Sequence, residues 1–272
     1  MKLVKLERLP IEKLPGVKRI QSIAARYYEQ WLLMEVKRRG NIPRHVAVIL
    51  DGNRRFARSQ GMEDIQGHVM GAKKLEEVLE WCQELGIKHF TVYAFSTENF
   101  NRSSAEVRGL MELIARKFKE AATDARIHRN KVRIRAIGDI DRLPERVRSA
   151  IREAEEQTRG YDGYSLNIAV SYGGRAEVAE AVREICKRIE RGELKASDVN
   201  ESLISSYLYT ADLPDPDLII RTSGEERLSG FLLWQSAYSE LYFCEANWPA
   251  FSKIDFLRAI RTYQGRERRF GR

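Results

Sequence analysis

Short apolar runs alternate along the chain with segments whose apolar residues recur every three or four positions. The runs predict six buried strands, namely His45–Leu50, Phe90–Phe95, Val132–Ile137, Tyr164–Val170, Leu218–Arg221 and Leu241–Cys244. The segments between them predict helices at about His68–Leu85, Ser104–Ala122, Pro144–Gln157, Arg175–Arg191 and Lys253–Arg266. Because near-continuous aliphatic strands that alternate with helices are typical of a sheet covered on both faces, we expect an α/β fold. The fold class is a single domain around a central, mostly parallel sheet flanked by helices.

A separate amphipathic pattern precedes the first strand and predicts a helix over Val17–Arg39. Its stripe consists of Val17, Ile20, Ala24, Tyr27, Trp31 and Met34. We expect this helix to dock on the body, with a membrane-surface role as the alternative because lysines and arginines surround the stripe. Residues 1–40 thus form an N-terminal amphipathic helical extension, and residues 41–272 form the main domain.

Composition limits the class of partner. The 272 residues carry a net charge of +8, with 43% hydrophobic residues and a pI of about 9.4. Such a charge favours nucleic acid, anionic lipid or phosphorylated small molecules, but the arginines form no single tract, which argues against a nucleic-acid arm. Three scattered cysteines, no apolar leader and no run of bilayer length predict a reduced, cytoplasmic protein, at most peripheral to a membrane.

Ligands of parallel α/β sheets bind at the carboxyl ends of the strands, so the residues that follow each strand are the candidates. Asp51 follows the first strand and offers a hard oxygen ligand for Mg²⁺. Gly52 permits close approach of backbone N–H groups to phosphate, and Arg54 and Arg55 would neutralise its oxygens. Asp-Gly-Asn is also common turn chemistry, so a turn with solvated arginines is the alternative.

The second strand is followed by a polar cluster, Ser96-Thr97-Glu98-Asn99, and then Arg102. Capping of the next helix by Ser103 or Ser104 with Glu106 would explain part of this stretch. It would leave Asn99 and Arg102 without a role, which favours a binding site.

Two further arginines follow the short strand that ends at Arg221. Arg227 and Ser229 lie six and eight residues on and again suggest anion capture, although Glu225 or Glu226 could pair the arginines in a surface network. Glu240, before the last strand, is a second candidate Mg²⁺ ligand, and a surface position is the alternative. His68 is expected to begin a helix, where its side chain and free backbone N–H groups would meet phosphate, with a capping or surface role as the alternative.

The sequence lacks the P-loop, dinucleotide-binding, zincin and serine-hydrolase motifs. Taken together, DGNRRFA, YAFSTENFNR, NIAVSYGGR, IIRTSGEERLSGFLLWQ, YSELYF and WPAF, with RERRFG near the end, resemble the cis-prenyltransferase family of undecaprenyl and dehydrodolichyl diphosphate synthases. The similarity runs in order from about Arg44 to Gly271. DGNRRFA is more similar to archaeal and eukaryotic members than to bacterial ones.

The resemblance implies a Mg²⁺-dependent transferase that adds isopentenyl diphosphate to an allylic prenyl diphosphate. It also implies a homodimer and, in residues 41–272, a catalytic domain with a hydrophobic product tunnel. Asp51 and Asn99 match the essential aspartate and the residue assigned to proton removal, and Asp51 and Glu240 match the metal ligands. The matched substrate-binding positions are Gly52, Asn53, Arg54, Arg55, Phe56, His68, Ser96, Thr97, Glu98, Phe100, Arg102, Arg221, Arg227, Ser229, Arg269 and Gly271.

Several departures from the bacterial pattern refine these expectations. Asp64 stands where bacterial members often have an arginine, and Phe100 replaces a frequent tryptophan. Tyr164 would shorten the product if it lines the tunnel floor. The archaeal character favours geranylgeranyl diphosphate as primer and a glycosyl-carrier lipid as product. A non-catalytic subunit of a heteromeric prenyltransferase and a basic RNA-binding α/β protein are the alternatives.

Overall fold

The computed structural model describes residues 17–266. Its sheet has six parallel strands in the order β3-β4-β2-β1-β5-β6. The strands are β1 (His45–Ile49), β2 (His89–Ser96), β3 (Val132–Ile137), β4 (Tyr164–Tyr172), β5 (Leu218–Arg221) and β6 (Glu240–Phe243). The helices are α1 (Val17–Arg39), α2 (Asn53–Ser59), α3 (Asp64–Leu85), α4 (Ser104–Thr123), α5 (Ala125–Arg129), α6 (Glu145–Thr158), α7 (Gly174–Glu190), α8 (Glu201–Ser206) and α9 (Lys253–Gln264).

The predicted α/β class and all six strands are confirmed. Both faces of the sheet are buried, which explains the near-continuous apolar runs: Val46 and Val48 enter the larger core with α3, α4, α6 and α9, whereas Ala47 and Ile49 enter a smaller core on the other face. The predicted helices are present with ends shifted by up to four residues. The sequence did not predict α2, α5 and α8, because helices of five to seven residues are too short to show a period.

Helix α1 has the predicted bounds, but the predicted stripe faces outward. Leu32 and Val36 are the buried positions, and α1 packs through this side against α9. Tyr27 is 71% exposed and Met34 63% exposed. The pattern carries apolar residues on two sides of the helix, and a period alone does not tell which side meets the core. The side chains of residues 17–21, including Val17 and Ile20, lie outside the described part.

Within residues 17–266, no helix is both long enough and apolar enough to cross a membrane.

Candidate active site

Asp51 lies at the carboxyl end of β1, and its carboxylate is fixed by a buried arginine. Arg221, at the end of β5, donates from Nη2 to Asp51 Oδ2 at 2.8 Å, and the backbone N–H of Gly52 donates to Oδ1 at 2.7 Å. The Arg221 guanidinium also donates to Ser229 Oγ at 2.9 Å and to the Arg227 carbonyl. Arg221 is only 4% exposed. A fixed carboxylate and a fixed guanidinium therefore stand side by side where two central strands end.

Gly52 is required by the local geometry. Its φ is +94°, and a Cβ there would lie 2.4 Å from Asn247 Oδ1 and 2.8 Å from Ser223 Oγ. Only glycine fits both the left-handed backbone and the available space. The loop after β1 is thereby held against the loop after β6, and Trp248 N donates to the Asp51 carbonyl at 2.9 Å.

Four arginines line a small hollow beside Asp51. The hollow has a volume of about 160 Å³, and its lining includes Arg54, Arg55, Arg58 and Arg102. Each arginine also has a carboxylate partner. The pairs are Arg54 with Glu106 (3.6 Å), Arg55 with Glu225 (2.6 Å), Arg58 with Asp64 (2.7 Å) and Arg102 with Glu106 (2.9 Å). So many cations around so small a space favour binding of a multiply charged anion such as diphosphate.

His68 lines the same hollow, but not at a helix end as the sequence predicted. Helix α3 begins at Asp64, so the His68 backbone N–H lies inside the helix and is not free for phosphate. The correction follows from Glu63 and Gln66, which form a capping box that starts the helix early. Burial and the nearby Arg102 lower the pKa of His68 to about 4. The imidazole is therefore neutral at neutral pH, and its Nε2 is buried with no hydrogen-bond partner within residues 17–266.

Asn53, the first residue of α2, packs closely against α3 beside this hollow. Its Nδ2 donates to the Leu50 carbonyl at 2.8 Å, and its Oδ1 is buried without a partner among the described residues. Gly67 and Gly71 of α3 allow this contact, because a Cβ at Gly71 would lie 2.1 Å from Asn53 Oδ1 and one at Gly67 2.1 Å from the Asn53 carbonyl.

The polar segment after β2 forms a 3-10 helix, Thr97–Asn101, on the rim of a larger cavity. Asn99 Oδ1 accepts from Ser96 N at 3.1 Å, and Ser96, Thr97, Glu98, Asn99 and Arg102 all line that cavity. The capping interpretation holds as well, since Ser103 Oγ accepts from Glu106 N. The structure gives both remaining residues a local role that the sequence did not predict: Asn99 completes the capping box of the 3-10 helix, and Arg102 pairs with Glu106. Both also line the large cavity.

The larger cavity runs from Asp51 down between the sheet and helices α3 and α4. Its volume is about 1050 Å³. Apolar side chains supply most of the wall below the polar rim, among them Leu75, Leu79, Leu110, Ile114, Phe118 and Ile168. The predicted tunnel is confirmed. Tyr164 is not one of the described residues that line it: its ring lies under Lys88, and its hydroxyl donates to the Gln83 carbonyl at 3.5 Å.

Other predicted residues lie away from this cavity. Phe100 packs edge-to-face on Phe95 with 4.9 Å between ring centroids, and the Arg142 guanidinium lies 4.1 Å from the Phe100 centroid. Phe56 does not line either space described here. Arg227 pairs with Glu225, as the surface-network alternative proposed, although its carbonyl holds Arg221.

Glu240 does not meet Asp51 within this chain. It is the first residue of β6 and pairs in register with Leu218, whereas Asp51 lies beyond the level of Arg221. Three residues of strand place it roughly 10 Å from that level, and it pairs with Arg266. The two carboxylates therefore cannot hold one ion in the same chain. Arg269 and Gly271 lie outside the described residues.

Sequence reasoning missed two arginines. Arg58 lies in the small hollow and Arg175 at the rim of the large cavity. Arg175 follows Gly173-Gly174 just past the end of β4, so the rule of carboxyl ends would have found it. Arg58 is one turn beyond Arg54 and Arg55 on α2. Because the sequence did not predict α2, it did not show that Arg58 lies on the same side as these two arginines.

The family described as putative undecaprenyl diphosphate synthase matches residues 49–271. The chain is 56% identical over 245 residues to the tritrans,polycis-undecaprenyl-diphosphate synthase (geranylgeranyl-diphosphate specific) of Thermococcus kodakarensis, covering 90% of this chain and 92% of the other. It is 54% identical over 247 residues to the protein of the same description from Methanocaldococcus jannaschii, covering 90% and 88%.

Two solved structures have the same architecture. Lavandulyl diphosphate synthase from Lavandula x intermedia, in complex with dimethylallyl diphosphate, matches with a TM-score of 0.80 at 38% identity over 85% of this chain and 99% of the other. A probable undecaprenyl diphosphate synthase from Campylobacter jejuni matches with a TM-score of 0.70 at 38% identity, covering 86% and 100%. An arginine-lined hollow that opens into an apolar tunnel suits such enzymes, and the chain belongs to the undecaprenyl diphosphate synthase family of cis-prenyltransferases.

Proposed function

We propose that this chain adds isopentenyl diphosphate in successive cis condensations to geranylgeranyl diphosphate, yielding a long polyprenyl diphosphate for a glycosyl carrier lipid. The observation that carries the proposal is the junction at Asp51, where a hollow lined by four arginines meets an apolar cavity of about 1050 Å³. A prenyl diphosphate has the same division into an anionic head and an apolar tail. The archaeal relatives described as specific for geranylgeranyl diphosphate support the choice of primer.

In the proposed reaction, the isopentenyl double bond attacks C1 of the allylic primer. The new C–C bond forms as the C1–O bond breaks, diphosphate leaves with that electron pair, and one proton is lost to restore a double bond. Arg54, Arg55, Arg58 and Arg102 would stabilise the charge on the departing diphosphate. Arg221, Ser229 and Arg175 would bind isopentenyl diphosphate, and Asn99, at the rim between the two sites, would act in proton removal.

The residues at the junction fit Mg²⁺. Mg²⁺ binds through one or two carboxylates together with substrate phosphates and water, and Asp51 offers such a carboxylate beside the arginine hollow. When bound, the ion would neutralise diphosphate charge. Among residues 17–266, no group of three or more His, Cys, Asp or Glu side chains forms a metal cage, which agrees with an ion held largely by substrate.

The test is incorporation of radiolabelled isopentenyl diphosphate with farnesyl or geranylgeranyl diphosphate as primer, with Mg²⁺ or with chelator. We expect elongation with geranylgeranyl diphosphate, dependence on Mg²⁺, and loss of activity in Asp51→Ala. Elongation by Asp51→Ala at the parent rate would refute the proposal. The comparisons support neither the non-catalytic subunit nor the RNA-binding protein.

We also propose a homodimer. Tyr238 and Leu233 are exposed on the segment that leads to β6, an edge strand of the sheet. An edge that pairs with no other strand of residues 17–266, with apolar side chains beside it, favours association with a second copy. Sedimentation equilibrium would give the mass of two chains, and a monomer at micromolar concentration would contradict this.

Helix α1 supports a further proposal, contact with an anionic membrane surface. Ile23, Tyr27, Trp31 and Met34 form an exposed apolar stripe, and Arg26, Lys37 and Arg38 are exposed on the same helix. Aromatic residues flanked by cations are typical of helices that lie in the headgroup region. We expect co-sedimentation with vesicles that contain phosphatidylglycerol and its loss in Trp31→Ser, with neutral vesicles as the control. Equal binding by Trp31→Ser would contradict the proposal.

A further inference from the structure

The end of the tunnel far from Asp51 is lined by charged side chains. Glu76 and Glu80 of α3, Lys117 of α4, and Asp124 and Arg126 around the start of α5 all border the cavity there. We call these five residues the far-end network. Both α3 and α4 start near the arginine hollow and run toward the amino ends of the strands. Residues late in α3 and α4 therefore mark the far end of the large cavity.

The far-end network bridges two helices that pack only sparsely against each other. Arg126 donates to Glu76 at 2.8 Å, to Glu80 at 2.9 Å and to Asp124 at 2.7 Å, and Lys117 donates to Glu76 at 2.9 Å. Helix α4 packs extensively against α6 but only sparsely against α3. Ion pairs therefore help to close the gap between α3 and the α4–α5 segment at this level.

These side chains form a wall between the cavity and water. The side chain of Arg126 is 45% exposed and that of Lys117 30% exposed, and both also border the cavity. Tyr164 is not among the described residues that line this end, and its hydroxyl donates to the Gln83 carbonyl instead. Gln83 itself is held by Asn130 Nδ2 at 2.9 Å. The charged side chains of the far-end network, together with the apolar Ala121 and Ile127, therefore line this end of the tunnel.

We propose that the far-end network sets product length by stopping the growing chain; this inference rests on the proposed function. While the chain lengthens along Leu75, Leu79 and Phe118, each added isoprene unit leaves water for an apolar wall. A chain that reached the network would have to displace Arg126 from its carboxylates and cover the separated charges with hydrocarbon. Charges without partners in apolar surroundings are strongly unfavourable, so further growth is disfavoured at that point.

The test is the length distribution of dephosphorylated products made from geranylgeranyl diphosphate and labelled isopentenyl diphosphate. Arg126→Met removes the bridging cation and supplies an apolar side chain of similar reach. We expect its main product to be longer than that of the parent by one or more isoprene units, with total incorporation close to the parent's. Arg126→Lys, which keeps a cation, should return the distribution toward that of the parent.

Arg152→Met is the matched control, because Arg152 is an exposed helical arginine that pairs with Glu145 and does not border the tunnel. Glu80→Gln is a second probe, which weakens the network without removing Arg126 and serves if Arg126→Met does not fold by circular dichroism. The inference is overturned if folded Arg126→Met and Glu80→Gln proteins give the parent's distribution, or if Arg152→Met shifts it equally. Failure of the parent protein to incorporate any isopentenyl unit would instead refute the proposed function, and the inference with it.

Discussion

Arg221 at the near end of the tunnel and Arg126 at its far end hold their charge in different ways. At the near end, Arg221 is 4% exposed and is fixed by Asp51, Ser229 and a backbone carbonyl. At the far end, Arg126 contacts three carboxylates, but nearly half of its side chain is exposed to water. Similar guanidinium–carboxylate distances therefore occur in surroundings of very different polarity.

The difference teaches what each end is able to do. A buried and fixed charge such as that of Arg221 stabilises charge that develops during a reaction, because it needs no rearrangement when that charge appears. Exposed ion pairs contribute little energy, since water and salt screen them. Their charged groups still form a surface with which a hydrocarbon chain makes no favourable contact. The near end suits chemistry, and the far end suits a boundary.

The largest effect should come from breaking the near end. We expect Arg221→Met to lower kcat/KM for isopentenyl diphosphate by a factor on the order of 10²–10³, as for the loss of one fixed donor at a developing charge. Steady-state incorporation of labelled isopentenyl diphosphate measures this. Arg152→Met, far from the tunnel, is the control and should keep the parent's value. A loss of less than tenfold, about 1.4 kcal/mol, would mean that Arg221 does not stabilise the reacting diphosphates.

Gly52 tests whether the near end is as rigid as its contacts indicate. Gly52→Ala places a Cβ 2.4 Å from Asn247 Oδ1 at a φ of +94°, whereas Gly61→Ala meets nothing within 4 Å at a φ of +68°. Both changes carry the left-handed backbone penalty of roughly 1–2 kcal/mol. Urea unfolding should therefore show a larger loss of stability for Gly52→Ala, and only that variant should lose activity. Equal losses would show that the Asn247 side chain moves aside freely.

The near end was largely predictable from the sequence, for a physical reason. Parallel strands place their carboxyl ends at one edge, so Asp51, Ser96 and Arg221 had to converge once the strands were assigned. Each of these residues directly follows or ends an apolar run that the sequence shows plainly. The resemblance to cis-prenyltransferases then supplied the substrates, which spacing alone does not give.

The far end was not predictable in this way. Its residues lie on two helices and a short connecting segment, and their meeting depends on how far α3 and α4 are apart. A glutamate or lysine in a helix reads as an ordinary solvated position, so Glu76 and Lys117 gave no signal. The prediction of the buried side of helix α1 failed for a similar reason. Trp31 and Leu32 are both apolar, and only the packing of α1 on α9 decides that Leu32 is the buried one.

Two histidines lie at opposite ends of the strands. His68 lines the arginine hollow near the carboxyl ends, and His45 is the first residue of β1, at the amino end. Burial lowers the pKa of both His68 and His45 to about 4, from 6.5 in the unfolded chain. The unfolded state therefore binds more protons between pH 6.5 and 4, and stability present above pH 6.5 is lost as the pH falls through this window. Each histidine should contribute a slope of up to roughly 1.4 kcal/mol per pH unit. Urea unfolding at several pH values measures this slope.

His68→Gln and His45→Gln should each reduce that slope. Inorganic pyrophosphate bound in the arginine hollow should shrink the His68 contribution, because a nearby anion favours the protonated imidazole, and leave that of His45 unchanged. An equal response of both histidines to pyrophosphate would contradict binding at the hollow.

The smallest effect is expected at the far end, and its smallness is informative. Arg126→Met removes three ion pairs, yet exposed pairs of this kind typically contribute only about 0–1 kcal/mol each and are screened by salt. We expect urea unfolding in 1 M NaCl to show almost no difference between this variant and the parent, and only a small loss at low salt. A loss of several kcal/mol that persists in high salt would mean that Arg126 is buried in solution, and that both ends of the tunnel hold fixed charge.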